Sequence, residues 1–401
     1  MKTRGAELTF KHNLKRGRHG WLRLTPAYSV KLVGDLLARY PGAKTVLDPF
    51  SGTGTTGLVC AERGVACDLL DVNPFLVWLA RTKTRNFVAS DIELLMTSAP
   101  EIARRTLSMS HEHRWTPPIT DIERWWAPAR LSLLSRLFEA IREVLPTDCA
   151  ARDLASLAFC RCMIDWSNAA FNHQSMSFKD RSDSLFEHED ETLVGEFSSR
   201  ASMIAEAAGQ YLAGSVVVRE ADSRQIPDPT WRPYDLVITS PPYPNRISYI
   251  RELRPYMYWL SFLREAREAG ELDWRAIGGT WGIATSRMEK WQPAGSGVPF
   301  PGFDGIIDSI RSRSVVLANY VHKYFVDMIA HMRSLRPRME DGGRVHYIVG
   351  NSKFYDTIVP VERIYAAIMR EHGFTDVRVT PIRKRNSKKE LIEFDVSAAA
   401  T

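Results

Sequence analysis

The chain has 401 residues, 44% hydrophobic and 25% charged, the balance of an ordinary soluble globular protein long enough for a large single domain or for two to three lobes around a common core. Its 53 Lys and Arg against 47 Asp and Glu leave a net charge of +6, which permits a polyanionic partner without requiring one. Five scattered cysteines (Cys60, Cys67, Cys149, Cys160 and Cys162) without C-x-x-C spacing argue against a disulfide framework or structural zinc. No signal-like start and no apolar run of the roughly 18 residues that span a bilayer is present, so a cytoplasmic protein without a membrane partner is expected.

Taken in order, residues 1–84 read as a strand, turn, helix, strand unit of the nucleotide-binding type. Thr45 to Asp48 is a short β-branched and apolar run. A Gly turn follows, then a helix from Thr55 to Arg63 that Gly64 ends, then a strand from Val65 to Leu70 closing on Asp71. Residues 85–213 form a helical insertion, with Pro128 opening a helix that carries Leu131, Leu134, Phe138 and Ile141 at helical spacing. Further helices are predicted over Asp153–Phe171 and Glu196–Leu212.

Residues 214–270 return to the core, with strands at Ser215 to Val218 and Asp235 to Thr239. Residues 271–317, rich in Gly, Pro and Trp, read as a long loop insertion. Residues 318–401 complete the core, with a strand from Gly343 to Val349 after the turn Glu340-Asp341-Gly342. A closing hairpin follows from Val377 to Arg383 and from Leu391 to Val396. Strands alternating with helices imply an α/β fold, Rossmann-like, with a mostly parallel twisted sheet covered on both faces.

Asp48-Pro49-Phe50-Ser51-Gly52-Thr53-Gly54-Thr55-Thr56 carries the first chemical signal. Gly52 and Gly54 let the backbone approach a ligand, and the following helix offers unpaired N–H donors. No Lys completes a phosphate loop, and the third glycine of the dinucleotide fingerprint is absent. Asp71, about twenty residues on at the next strand end, is positioned to accept ribose hydroxyls. Asp222 at the third strand end is a candidate partner for an adenine amino group.

The second signal is Ser240-Pro241-Pro242-Tyr243 after a buried strand. Together and in this order, the two segments resemble the amino-group DNA methyltransferases, which transfer methyl from S-adenosylmethionine to N4 of cytosine or N6 of adenine. The resemblance covers roughly residues 19–84, 214–264 and 320–396. It implies S-adenosylmethionine as cofactor, with Phe50 beside it and Asp48 and the Ser51–Thr53 turn on its methionine portion. The rest of the run (Pro49, Gly54, Thr55 and Thr56) and Asn73 belong to the same expected site. His19 to Pro26 is similar to the family's amino-terminal cofactor element and adds Thr25 and Pro26.

An exocyclic amine is a poor nucleophile because its lone pair is delocalised into the ring. The Ser240 hydroxyl and Pro241 carbonyl are candidate acceptors for its hydrogens, with consecutive prolines fixing the backbone. Tyr243 offers a ring for an extruded base to stack on. None of the cysteines follows a proline, so the covalent chemistry of cytosine C5 methylation is disfavoured. In the family a leading Ser accompanies N4-cytosine more often than N6-adenine. The expected activity is therefore N4-cytosine methylation of double-stranded DNA, in a restriction–modification or related defence system with a cognate endonuclease. N6-adenine methylation, RNA methylation and a non-catalytic DNA-binding subunit are the alternatives.

Among candidate DNA contacts, Arg246, Tyr249 and Arg251 follow the tetrapeptide at the groove for a flipped nucleotide, and Arg383, Arg385 and Lys388 cluster as candidates for phosphates. Asn351-Ser352 is similar to the family segment that closes the base pocket. His111, His113 and His173 lack partners at metal-ligand spacing, so no metal is expected.

Overall fold

The computed structural model describes residues 13, 16–22, 24, 28–110, 115–170, 177–178, 190–245, 249–279, 283–293, 297–385 and 390–401. Ser29 accepts from the Lys31 N–H at 3.2 Å and caps Val30–Leu37 (α1). Thr45–Asp48 (β1) is buried along its whole length. The glycine turn leads into Thr55–Glu62 (α2) and back through Ala66–Asp71 (β2), which pairs parallel to β1. Pro74–Thr84 (α3) has Pro in its first turn and Asn73 as its cap, accepting from the Phe75 N–H at 3.0 Å.

The insertion contributes Ala89–Ser108 (α4), Pro128–Val144 (α5), Ala150–Asp165 (α6) and Asp190–Ala208 (α7). The core resumes with Val216–Glu220 (β3), Tyr234–Thr239 (β4) and Tyr249–Trp259 (α8). Ala266–Arg275 (α9), Ile283–Lys290 (α10), Phe303–Arg311 (α11) and Val315–Leu335 (α12) precede Met339–Gly350 (β5). Val361–Glu371 (α13), Phe374–Lys384 (β6) and Ile392–Ala400 (β7) close the chain.

The seven strands lie in the order β3-β2-β1-β4-β5-β7-β6. All neighbouring pairs from β3 to β5 are parallel; β7 runs antiparallel to both β5 and β6. The fold is therefore α/β with a mostly parallel sheet. Side chains alternate between its faces, Leu47 and Val237 packing toward α12 and α13, and Val46, Leu236 and Ile238 toward α1. Strand order reverses between β1 and β4, the switch point at whose carboxyl ends open α/β sheets hold ligands. Both chemical segments leave the sheet there.

Two readings of the sequence change. Residues 271–317 hold α10, α11 and the end of α9 where a loop was expected. Phe303, Ile306, Ile307 and Ile310 form one apolar face on α11, and three of them are buried; the flanking Gly and Pro residues hide this short period. Glu340-Asp341-Gly342, expected as a turn, lies inside β5, where pairing with β4 jumps from Tyr234 with Met339 to Leu236 with Arg344, a bulge.

The helical insertion shares one apolar cluster with Phe75 and Leu79 of α3 and with Tyr256, Met257 and Trp259 of α8. Trp259 is the centre, with Trp115, Trp126, Phe138 and Phe159 arranged about its ring at centroid distances of 5.3 to 5.9 Å. α8 begins just past the Ser-Pro-Pro-Tyr segment, so this packing also anchors the backbone that leaves the switch point. All five cysteines are free.

Candidate active site

Asp48, fully buried at the end of β1, organises the switch point. Its Oδ1 accepts from the Phe50 N–H at 3.1 Å and the Thr239 hydroxyl at 2.6 Å. Its Oδ2 accepts from the Thr56 hydroxyl at 2.5 Å and the Tyr28 hydroxyl at 3.2 Å. Burial raises the carboxyl above its ordinary range, and these donors oppose the rise. The residue thus ties α2, β4 and the glycine turn to one point.

The turn itself is closed by Ser51 N–H to Leu70 carbonyl at 2.9 Å and Gly54 N–H to Ser51 carbonyl at 2.8 Å. Gly52 and Gly54 have φ of +49° and +77°, a region L side chains rarely adopt. A Cβ on Gly54 would stand 2.9 Å from the Ala80 Cβ, whereas on Gly52 it would meet no atom within 4 Å. Gly52 therefore faces open space above the turn. The Ser51 hydroxyl is buried there without a hydrogen-bond partner, and a buried orphan of this kind calls for a ligand.

Asp71 at the end of β2 accepts from the Gly52 N–H at 3.0 Å and the Asn73 N–H at 2.8 Å. Burial pushes its carboxyl up to about 7 against those two bonds. Asn73 serves as the α3 cap, and its amide also donates to the Met257 sulfur at 3.6 Å. Phe50 packs edge-on to His331 at a centroid distance of 4.9 Å. His331 donates from Nδ1 to the Ser223 carbonyl at 2.8 Å and accepts at Nε2 from Tyr347 at 2.6 Å. Burial lowers its pKa to about 4, so it is neutral at pH 7. The Ser223 hydroxyl donates to the Pro49 carbonyl.

Asp222 caps the turn Ser223–Gln225, and its carboxylate is gripped by the Arg224 guanidinium at 2.6 to 3.1 Å. Burial would raise that carboxyl, but Arg224 outweighs it and holds it below its ordinary range. Lys83, buried under the glycine turn, donates to the Thr53 carbonyl at 2.9 Å, and burial lowers its pKa to about 7. Lys83, Tyr28, Ser223 and His331 escape a reading by motif, since each sits in an element that carries no signature of its own.

On the β4 side, the Ser240 hydroxyl donates to the Ile348 carbonyl of β5 at 3.1 Å. The Pro242 carbonyl accepts from Tyr324 at 2.8 Å, and Tyr324 meets the Tyr365 hydroxyl at 2.6 Å. Tyr243 donates to Glu393 Oε1 at 3.1 Å, and the Arg385 guanidinium lies 4.7 Å from its ring centroid. Arg383 holds Glu393 with bonds of 2.6 and 3.1 Å. Two arginines expected at phosphates are thus turned into the switch point, Arg385 also donating to the Asn351 carbonyl at 3.0 Å. Asn351 itself clasps β7, accepting from the Ile392 N–H at 2.9 Å. Arg251 is exposed on α8. Thr25, Pro26, Arg246, Lys388, His111, His113, His173 and the Tyr249 side chain lie outside the described residues.

Type II methyltransferase M.AvaI of Nostoc sp. (strain PCC 7120 / SAG 25.82 / UTEX 2576) is 20% identical over 422 residues, spanning 96% of this chain and 85% of its own. The protein of the same name from Anabaena variabilis matches with the same figures. Over nearly its whole length the chain is therefore similar to a methyltransferase, in keeping with the resemblance that its two segments carry. No protein-family profile matches it. Two solved structures of the rRNA methyltransferase aviRa from Streptomyces viridochromogenes align over 97% of this chain and 92% of theirs, at 13% and 14% identity. Their TM-scores of 0.30 and 0.29 are too low for that likeness to add to the case.

The glycine turn fits S-adenosylmethionine. The orphan Ser51 hydroxyl, the open face of Gly52 and the unused lone pairs of Asp71 converge on the carboxyl edge of β1 and β2. Among the described residues no three His, Cys, Asp or Glu side chains cluster as a metal site requires, and no helix is long and apolar enough to cross a membrane.

Proposed function

We propose that this methyltransferase modifies double-stranded DNA at the exocyclic N4 of a cytosine flipped out of a short specific site. The observation that carries the reading is the bond from the Ser240 hydroxyl to the Ile348 carbonyl. A hydroxyl has one hydrogen to give. With it spent on a main-chain carbonyl, the Ser240 oxygen presents lone pairs, as an incoming amino group requires.

S-adenosylmethionine supplies a methyl group already activated on a sulfonium, so the chain's work is positioning and hydrogen bonding. In this reading Asp71 accepts the ribose hydroxyls, the Ser51–Thr53 turn takes the methionine portion, and Phe50 forms an apolar wall. Ser240 accepts one amino hydrogen of the base. Pro242 has its carbonyl committed to Tyr324, so we assign the second amino hydrogen to the Pro241 carbonyl. Both bonds draw the nitrogen out of conjugation with the ring. Tyr243, tethered by Glu393 and covered by Arg385 on its ring, is the assigned stacking platform.

The name of the relatives, Type II methyltransferase, supports a role in modifying host DNA within a restriction–modification or related defence system. The test is mass spectrometry of nucleosides from DNA of cells expressing the chain, against cells expressing Ser240→Ala. N4-methylcytosine with the intact protein alone is the expected result. N6-methyladenine would overturn the choice of base, and absence of both marks would overturn DNA as the substrate.

A further inference from the structure

We infer that Glu393 is a positioning residue that sets the direction of the hydrogen bonds at Ser240; this rests on the catalytic role assigned to Ser240 above. Glu393 is the second residue of β7, the one reversed strand between β5 and β6, and pairs in register with Gly350. The antiparallel course brings its carboxylate to the carboxyl edge of the parallel strands, beside the end of β4. It is buried, and the Arg383 fork fixes both oxygens.

A carboxylate in an ion pair can only accept. The Tyr243 phenol must therefore give its one hydrogen to Glu393 Oε1. That matters because the same phenol oxygen stands 3.5 Å from the Ser240 hydroxyl oxygen. With its hydrogen drawn to Glu393, Tyr243 has nothing to donate to Ser240. The serine oxygen keeps its lone pairs for the amino group of the base. An uncommitted phenol would turn its hydrogen to Ser240 and compete for the acceptor.

Glu393→Gln reverses this polarity. The amide oxygen goes to the Arg383 fork and the NH2 faces Tyr243, so the phenol becomes the acceptor and its hydrogen swings to Ser240. The expected loss in turnover is about tenfold, the rate equivalent of one hydrogen bond. The affinity for S-adenosylmethionine should not change.

The experiment measures transfer of label from methyl-tritiated S-adenosylmethionine into unmethylated bacterial genomic DNA, with cofactor affinity by calorimetry. Four proteins are compared: wild type, Glu393→Gln, Tyr243→Phe and the double variant. Whatever Tyr243→Phe costs by itself, adding Glu393→Gln to it should cost nothing further in kcat, because the misdirected hydrogen no longer exists. Equal losses from Glu393→Gln in both backgrounds, or none in either, overturn the proposal. If Glu393→Gln does not fold, Arg383→Met with Glu393→Met removes both charges and makes the same comparison. Ser240→Ala run in parallel separates the two readings: retained turnover there refutes the catalytic role of Ser240, while an inactive Ser240→Ala beside an unaffected Glu393→Gln refutes this inference alone.

Discussion

Thr239 donates its hydroxyl hydrogen to Asp48 Oδ1 at 2.6 Å, a buried bond between the residue before Ser240 and the residue that opens the glycine turn. Glycine turn and tetrapeptide are therefore positioned by one carboxylate. Thr239→Val keeps the side-chain shape and removes the donor, while Asp48 keeps three other donors. The expected cost is about 1 to 2 kcal/mol of stability, read as a fall in thermal midpoint. Cofactor affinity and turnover should fall together, because both segments lose a common anchor. Ser240→Ala should instead lower turnover with cofactor affinity intact.

With the ribose role proposed for Asp71, pH should act with opposite sign on cofactor binding and on stability. Its folded-state value of about 7 lies above the ordinary 3.8. The folded protein holds a proton between those values that the unfolded chain has released. The stability this contributes is complete below the lower value and is lost as pH rises through about 7. Ribose hydroxyls donate to the ionised form, so cofactor affinity should rise over the same interval. Asp71→Asn is expected to flatten that rise and to weaken binding about tenfold, near the value of one charge-assisted hydrogen bond. Calorimetric titration on either side of pH 7 reads both effects; a wild-type affinity independent of pH would refute the role given to Asp71.

The frame of this fold is local information, which is why β1, the turn and β4 are legible from short runs such as Thr45 to Asp48 and Asp235 to Thr239. The network around Ser240 is not. Ile348 and Glu393 reach it from β5 and β7, more than 100 residues away, and only the reversed course of β7 brings Glu393 to the right edge. Arg383 and Arg385 read as a basic surface run because pairing partners do not show in a sequence; their partners are Glu393, the Asn351 carbonyl and the Tyr243 ring. Lys83 carries no motif at all and is identified by its bond to Thr53.

Gly52 and Gly54 should respond differently to alanine. Each holds a left-handed backbone conformation, which costs an L residue about 1 to 2 kcal/mol. At Gly54 the added methyl also meets Ala80 at 2.9 Å, so α3 must shift against the turn. Gly54→Ala is therefore expected to lower the thermal midpoint clearly further than Gly52→Ala. Gly52→Ala places its methyl in the open space assigned to the cofactor. It should stay folded and lose tenfold or more in cofactor affinity. Equal stability losses with unchanged affinity at Gly52 would show that this open face does not meet the cofactor.

Arg18 joins two helix ends by donating to their terminal carbonyls. Its guanidinium donates to Ala207, Ala208 and Gln210 at the end of α7 and to Lys83 and Arg85 at the end of α3, over 2.5 to 3.2 Å. A cation suits both sites, since the carbonyl ends of helices carry partial negative charge. Burial lowers the pKa of Arg18 to about 10, so it stays charged at neutral pH. Arg18→Met would bury several carbonyls without donors and is expected to cost roughly 3 kcal/mol or more. Arg18→Lys should recover part of this, because an ammonium has three hydrogens and no planar fork. Because Lys83 lies between Arg18 and the Thr53 carbonyl, Arg18→Met should also weaken cofactor binding. A methionine variant with wild-type melting and wild-type cofactor affinity would refute both halves of this account.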